Sequence, residues 1–258
     1  MPLDPLTRFD PIALAALERV AELGDRMEVK YIVGVDQLEA MLCALVPSHR
    51  ILEIDHRRIF RYSTTYYDTP DLLTFREHGS DRRRRFKTRR RRYLDTGREM
   101  LEVKLKGRRG CTVKHAVPYE GGDQLDAAAL DFVRGILRAE YGRELPTPLV
   151  PALSVDCRRI TLVETERGER VTCDIAVALG DLRLAPGYAI VESKSTAARA
   201  AADRALRELG ARPVKRCSKY CLGVALTRPA QRANDFLPLM RRFFGPGPGP
   251  AVALGAAS

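Results

Sequence analysis

The sequence predicts an α+β fold, an antiparallel β-barrel with helices packed outside, and three observations carry that prediction. Short β-rich stretches follow one another, separated by turn signals at Asp95-Thr96-Gly97 and at Gly107 to Gly110. Charge recurs at every second position of several of these stretches, with apolar residues between, so each strand has two unlike faces. Those charged faces are mostly basic. A barrel closing over them would make a cationic tunnel, leaving the apolar faces to pack against helices.

Composition limits the alternatives. With 258 residues, 45% hydrophobic and 30% charged, the chain is long enough for one large domain or two small ones and reads as globular. No window of 18 consecutive apolar residues exists, which excludes a membrane-spanning helix of the usual kind. Residues Met1 to Asp10 lack a basic start and an apolar run, so no secretory signal and a cytoplasmic location are expected. The cysteines at 43, 111, 157, 173, 217 and 221 include no CxxC pair, and the histidines at 49, 56, 78 and 115 are scattered. That spacing speaks against zinc and predicts reduced, mostly buried thiols.

The elements follow in order. Asp10 as N-cap, Pro11 at the first turn and Gly24 as stop predict a first helix carrying Ile12, Leu14, Leu17, Val20 and Leu23. Residues 26 to 33 alternate as a strand, and Gly34 ends it. Asp36 and Glu39 have the spacing of a capping box for a helix reaching Val46, with Leu38, Met41, Leu42 and Leu45 in one stripe. Strands are expected at 59–67, 83–93, 100–106 and 112–117, a helix at 125–141, and further strands at 152–164, 170–179 and 188–194. Ser195 is placed to cap an alanine-rich helix that Gly210 stops, and a shorter helix starts near Ser218. The tail from Gly245 to Ser258, rich in Gly, Pro and Ala, is expected to be disordered.

Net charge then points to a partner. Lys and Arg number 44 against 33 Asp and Glu, giving +11, and the segment Arg82 to Arg92 alone holds nine basic residues and no acid. Outside it the balance is 11 − 9 = +2, so one local element makes the chain cationic and implies an anionic partner. Phe86 and Thr88 assign the even-numbered positions of that run to the outer face. Arg85, Lys87, Arg89 and Arg91 are therefore expected inward, with Arg90 and Arg92 on solvated surface.

Glu28 and Lys30 alternate with Met27, Val29 and Tyr31, and Glu102, Lys104 and Lys106 with Leu101, Val103 and Leu105. Arg170, Thr172 and Asp174 alternate with Val171, Cys173 and Ile175, while Glu192 and Lys194 flank Ser193. One such strand describes any sheet with a face in water. Five in one chain favour an enclosed polar space.

Several stretches together resemble the VTC (vacuolar transporter chaperone) domain, a polyphosphate polymerase within the triphosphate tunnel metalloenzymes of the CYTH-like superfamily. They are Arg26-Met-Glu-Val-Lys-Tyr, Tyr66-Tyr-Asp-Thr-Pro, Lys87-Thr-Arg-Arg-Arg-Arg-Tyr, Leu101-Glu-Val-Lys, Arg158-Arg-Ile-Thr, Arg170-Val-Thr-Cys-Asp, Val191-Glu-Ser-Lys and Ser218-Lys-Tyr. The resemblance implies a tunnel domain over 25–228, with an N-terminal helix (1–24) packing on it and a C-terminal helical segment (229–244). It also implies transfer of the γ-phosphate of ATP onto inorganic polyphosphate, with Mn²⁺ or Mg²⁺.

On that resemblance the catalytic cations are Lys30, Arg89, Arg91, Lys104, Arg159, Arg170 and Lys219. Further phosphate contacts fall to Lys87, Lys106, Lys114, Lys194, Arg216 and Ser218, and the metal to Glu192. Glu28, Glu102 and Asp174 would position inward cations, and Tyr93 and Tyr220 would pack. Arg26 stands where the related hydrolases carry a glutamate in Glu-x-Glu-x-Lys, which favours the polymerase over a triphosphatase of the same fold. The family's eukaryotic companions, an inositol-phosphate sensor and membrane helices, are not expected here. A non-catalytic polyphosphate-binding or nucleic-acid-binding protein is the rival class, though only Phe86 interleaves the basic run and no base-reading motif accompanies it.

Overall fold

The computed structural model describes residues 4–21, 27–107, 112–145, 148–166, 168–196, 200–215, 217–228, 234 and 236–246. After a 3-10 turn at Asp4–Arg8, Asp10–Ile12 forms strand β1, parallel to β3 (Arg50–Leu52). This corrects the expected helix start: α1 spans Leu14–Ala21 and Asp10 does not cap it. Among the described residues strand β1 pairs only with β3, and such an edge strand accommodates Pro11. The predicted stop at Gly24 lies outside the described residues.

Strand β2 (Met27–Gly34) runs straight into helix α2 (Val35–Leu45). With no linker between them, the N-cap is Gly34, whose N–H donates to Gln37 Oε1 at 3.3 Å, so the box expected at Asp36 and Glu39 lies two residues earlier. The stripe Leu38, Met41, Leu42 and Leu45 is buried as its spacing requires. Next come β4 (Phe60–Asp68) and a short helix α3 (Leu73–Gly79) that periodicity did not reveal. The buried Asp68 carboxylate ties α3 down, accepting from the N–H groups of Thr74 and Phe75 at 2.8 and 3.0 Å.

Strands β5 (Phe86–Tyr93), β6 (Arg98–Lys106) and β7 (Thr112–Pro118) lead to α4 (Ala127–Tyr141). Asp126 caps α4, and Gly142 ends it in the left-handed region. Then follow β8 (Val150–Val163), β9 (Arg170–Leu179), β10 (Leu182–Leu184), β11 (Tyr188–Ser195), α5 (Ala201–Glu208), α6 (Lys219–Thr227), α7 (Leu237–Phe243) and β12 (Phe244–Pro246). Ser195 does not cap α5, because it is held in the sheet opposite Met27. Glu169 instead accepts from the first α5 amides, Ala201 at 2.7 Å and Ala202 at 3.2 Å. Gly245 and Pro246, expected in a disordered tail, pair with β10. Residues 247–258 lie outside the described set.

The main path of the sheet is β2-β11-β9-β8-β4-β5-β6-β7, antiparallel at every step. Among the described residues β2 and β7 do not pair, so the expected closed barrel is corrected to an open sheet. The sheet nevertheless curls: Lys104 on β6 feels the charges of Glu28 on β2 and of Glu192 and Lys194 on β11.

Apolar burial fixes which face is outside. Helices α2 and α5 cover Tyr31, Val191, Cys173 and Ile160 on one half of the convex face, and α4 covers Phe86, Leu101, Val103 and Leu105 on the other. Helix α6 lies on the concave side, packed with Tyr66, Leu153 and Val155. Its approach is close: a Cβ on Gly223 would stand 2.3 Å from Leu153 Cδ2. No helix among the described residues is long and apolar enough to cross a membrane.

Candidate functional site

Strand alternation and the curl together gather the polar side chains on the concave face. Register sets them in rows across the sheet. Lys30 stands opposite Glu192, which stands opposite Thr172, itself opposite Thr161. Lys87 stands opposite Lys104, and Lys104 opposite Lys114. Arg89 lies between Tyr66 and Glu102, and Arg159 is opposite Asp174.

Four carboxylates hold part of this charge. Asp174, 1% exposed, takes Arg159 in a bidentate pair at 2.6 and 2.8 Å and also accepts from Lys219. Glu102 pairs with Arg89 and lies 3.6 Å from Lys114. Glu192 meets Lys194 at 2.7 Å and Lys30 at 3.5 Å, and Glu28 also pairs with Lys30. Burial alone would raise each of these acids, but the adjacent cations outweigh it and hold all four below the ordinary carboxylate range. They are therefore ionised at neutral pH.

Other cations have no carboxylate at ion-pair distance, although the charge of Glu192 reaches Lys104 and Arg170. Among the described residues Lys87, Arg91, Lys104 and Arg170 make no ion pair, and the Nε atoms of Arg91 and Arg170 are buried without a hydrogen-bond partner. Repulsion from Arg89, then burial, pushes the Lys104 ammonium well down, and burial with Arg159 lowers Arg170. All four are half-buried, and cations withdrawn from water without a partner are costly. An anion with several closely spaced charges would relieve all four at once.

Ser218 caps α6, accepting from Cys221 N–H at 3.4 Å, while Lys87 donates to its Oγ at 3.0 Å. The α6 N-terminus thus adds its own partial positive charge to the cations around it. Lys106 and Lys194 complete the face, and Arg216 lies outside the described residues. Tyr220 is buried, its hydroxyl donating to Asp68 and its ring 5.1 Å from that of Tyr66.

Sequence reading passed over two aromatic groups on this face. Tyr62 has the guanidinium of Arg159 at 5.0 Å and that of Arg91 at 5.5 Å from its ring centre. Tyr66 accepts from Arg89 at 3.3 Å, and the surrounding guanidiniums overcome burial to lower its hydroxyl. The i, i+2 spacing of Tyr62, Thr64 and Tyr66 was the available signal.

The parity chosen for the arginine run agrees with these contacts at Lys87, Arg89 and Arg91, but Arg85, also expected inward, pairs with Asp81 at 3.2 Å in the preceding loop, and the expected solvation of the outer set does not hold. Arg90 is 9% exposed, pinned between Glu99 at 2.7 Å and the 119–123 loop, where it donates to Gly122 O at 2.9 Å. Arg92 is half-buried and donates to Ser63 Oγ at 3.1 Å. The outer residues hold loops and strands to the convex face instead of facing water.

A metal must be judged against these donors. No group of three or more His, Cys, Asp or Glu is gathered to hold one among the described residues. Glu192, with Glu28 two positions away in register, fits a hard divalent ion that brings phosphate and water as its remaining ligands. Lys30 and Lys194 would have to yield some of their contact with Glu192.

The curled antiparallel sheet thus presents an inner face on which, among the described residues, Lys87, Arg91, Lys104 and Arg170 lack an ion pair. The chain belongs to the VTC domain family, whose model matches residues 25–228. Membership supports a triphosphate-related activity. None of the curated proteins compared matches the chain. Among solved structures, a protein from Pyrococcus horikoshii OT3 is similar at 16% identity, covering 79% of this chain and 99% of its own, with a TM-score of 0.44. An adenylyl cyclase candidate from Hippeastrum, described as having a dominant triphosphatase activity, shares 13% identity over 78% of this chain and 96% of its own, at a TM-score of 0.47. An adenylate cyclase candidate from Vibrio parahaemolyticus shares 15% identity over 72% and 86%, at a TM-score of 0.41.

Proposed function

We propose that this chain is a polyphosphate polymerase, a phosphotransferase that moves the γ-phosphate of ATP onto a growing chain of inorganic polyphosphate on the concave face. The observation that carries the reading is the set Lys87, Arg91, Lys104 and Arg170, inward cations without carboxylate partners. Phosphoryl transfer asks a protein mainly for alignment and charge neutralisation. Arg89, Arg91, Arg159 and Arg170 provide planar donors for bidentate phosphate contacts, and Lys30, Lys104 and Lys219 provide compact charge.

The terminal oxygen of the polyphosphate acceptor forms the new bond to the γ-phosphorus, the bond to the β–γ bridging oxygen breaks, and ADP leaves. That acceptor is already anionic, so no side chain need remove a proton from it. Asp174 and Glu102 keep Arg159, Lys219 and Arg89 oriented. Mn²⁺ or Mg²⁺ held by Glu192, with Glu28 beside it, would neutralise the donor phosphates.

A second reading, triphosphate hydrolysis, is favoured by the ionised pair Glu28 and Glu192, which could orient a water molecule. Incubation of the full chain with ATP and Mn²⁺ separates the readings. Chains longer than triphosphate support the polymerase, free phosphate without chains supports the hydrolase, and neither product removes both.

A further inference from the structure

Outside the concave face, the loop between α3 and β5 builds a second cationic surface. Arg82, Arg83 and Arg84 are exposed there, and with Arg76 and Arg143 they line a surface cavity of about 530 Å³. Of the nearby carboxylates, Glu77, which also lines the cavity and keeps one buried oxygen without a hydrogen-bond partner, takes Arg143 at 2.7 Å, Asp81 takes Arg85 at 3.2 Å, and Asp71 takes Arg76. Arg84 donates to the carbonyl of Tyr141 at 3.0 Å, which docks the loop on the end of α4. Arg82 and Arg83 make no ion pair or side-chain hydrogen bond among the described residues. Adjacent guanidiniums without counter-charge repel one another and favour an anion between them.

This surface adjoins the concave face. Arg83 precedes Lys87 by four residues, a separation of at most about 14 Å of chain. The Lys106 amide donates to Arg85 O at 3.0 Å, which sets the end of β6 beside the same loop. Cations therefore continue from Lys87 and Lys106 over the rim to Arg82 and Arg83.

We infer that this exterior surface is a second binding site for linear polyphosphate, engaging the part of a long chain that overhangs the concave face. The inference rests on the phosphate-chain reading of that face. A linear phosphate chain asks only for charge, whereas single-stranded nucleic acid also uses aromatic platforms for its bases. None lines this cavity, and neighbouring Phe86 is fully buried.

The test compares the full chain with its R82S/R83S and R82K/R83K variants, titrated with tripolyphosphate and with long-chain polyphosphate over a range of salt. R82S/R83S is expected to bind tripolyphosphate within twofold of the unaltered chain, which also reports an intact fold. Its affinity for the long chain should fall about tenfold, and its log–log salt slope should shrink by about 1 to 2. R82K/R83K, keeping the charge, should retain long-chain affinity. Unchanged long-chain binding by R82S/R83S overturns the exterior site alone. Failure of the unaltered chain to bind tripolyphosphate overturns the concave-face reading and this site with it. A larger loss for single-stranded RNA of matched charge than for polyphosphate overturns the choice of ligand.

Discussion

Replacing Asp174 by Asn removes the one negative charge shared by Arg159 and Lys219 and leaves the shape nearly unchanged. Asp174 is 1% exposed and accepts two hydrogen bonds from Arg159 and one from Lys219, besides a weaker one from the Cys157 thiol at 3.8 Å. Removing one member of a buried ion pair costs about 3–5 kcal/mol, because the remaining charge stays buried and uncompensated. The side chains of Arg159 and Lys219 keep 13% and 14% exposure, so some water can return and the lower end, about 3 kcal/mol, is expected. At about 2–4 °C per kcal/mol for a chain of this size, Tm should fall by about 6–12 °C.

The pH dependence has a fixed sign. The folded-state pKa of Asp174 is depressed, so its contribution is complete above the unfolded value of about 3.9 and is lost as pH falls through the folded value. The gap between the unaltered chain and Asp174→Asn should therefore be full at pH 7 and narrow on acidification below about pH 4. Tripolyphosphate, whose charges can stand in for the lost carboxylate, should raise the Tm of the variant more than that of the unaltered chain. Urea denaturation followed by circular dichroism at the two pH values is the assay. A loss under about 1 kcal/mol at pH 7, or a gap that widens in acid, would refute the assignment of Asp174 as holder of these cations.

The other predictions divide the face residue by residue. Arg89→Ala should weaken tripolyphosphate binding at least tenfold and Arg92→Ala less than twofold, measured by calorimetry; equal effects would show that the strand parity is wrong. Lys104→Met removes a half-buried cation that Arg89 repels, so ligand-free stability in urea should rise while triphosphate affinity falls. A variant less stable than the unaltered chain would contradict that account. Glu192→Gln should lower the metal-free Tm by less than Asp174→Asn does, because Lys30 and Lys194 are more exposed than Arg159 and Lys219, and should abolish metal-dependent turnover of ATP; full turnover would remove Glu192 from metal binding.

Much of the concave face could be read from alternation alone, because side chains two apart share a side wherever the other side is buried. Lys30, Glu102, Lys104, Asp174 and Glu192 follow that rule without exception. What escaped depends on contacts between distant segments. Asp10 and Pro11 look like a helix start, and only pairing with Arg50 and Ile51 makes them a strand. Ser195 has the chemistry of a cap, yet a carboxylate 26 positions earlier, Glu169, does the capping. Arg90 was read as surface because nothing local reveals Glu99 and the 119–123 loop closing over it. Whether the sheet joined into a ring depended on the two outermost strands, which are remote in sequence and share no local signal.

Among the described residues no strand pairs with the outer flank of β2 or of β7, although the Val214 amide donates to Lys30 O at 2.7 Å, and that flank bears on how the proposed phosphate polymer would be loaded. A sealed ring admits a strand only by its tip, so capture would slow as strands lengthened and tips became scarce. A trough open along one flank would accept a segment broadside, anywhere along its length, and release it the same way. Strand length would then govern how many troughs one molecule can occupy, while leaving the speed of each encounter almost untouched.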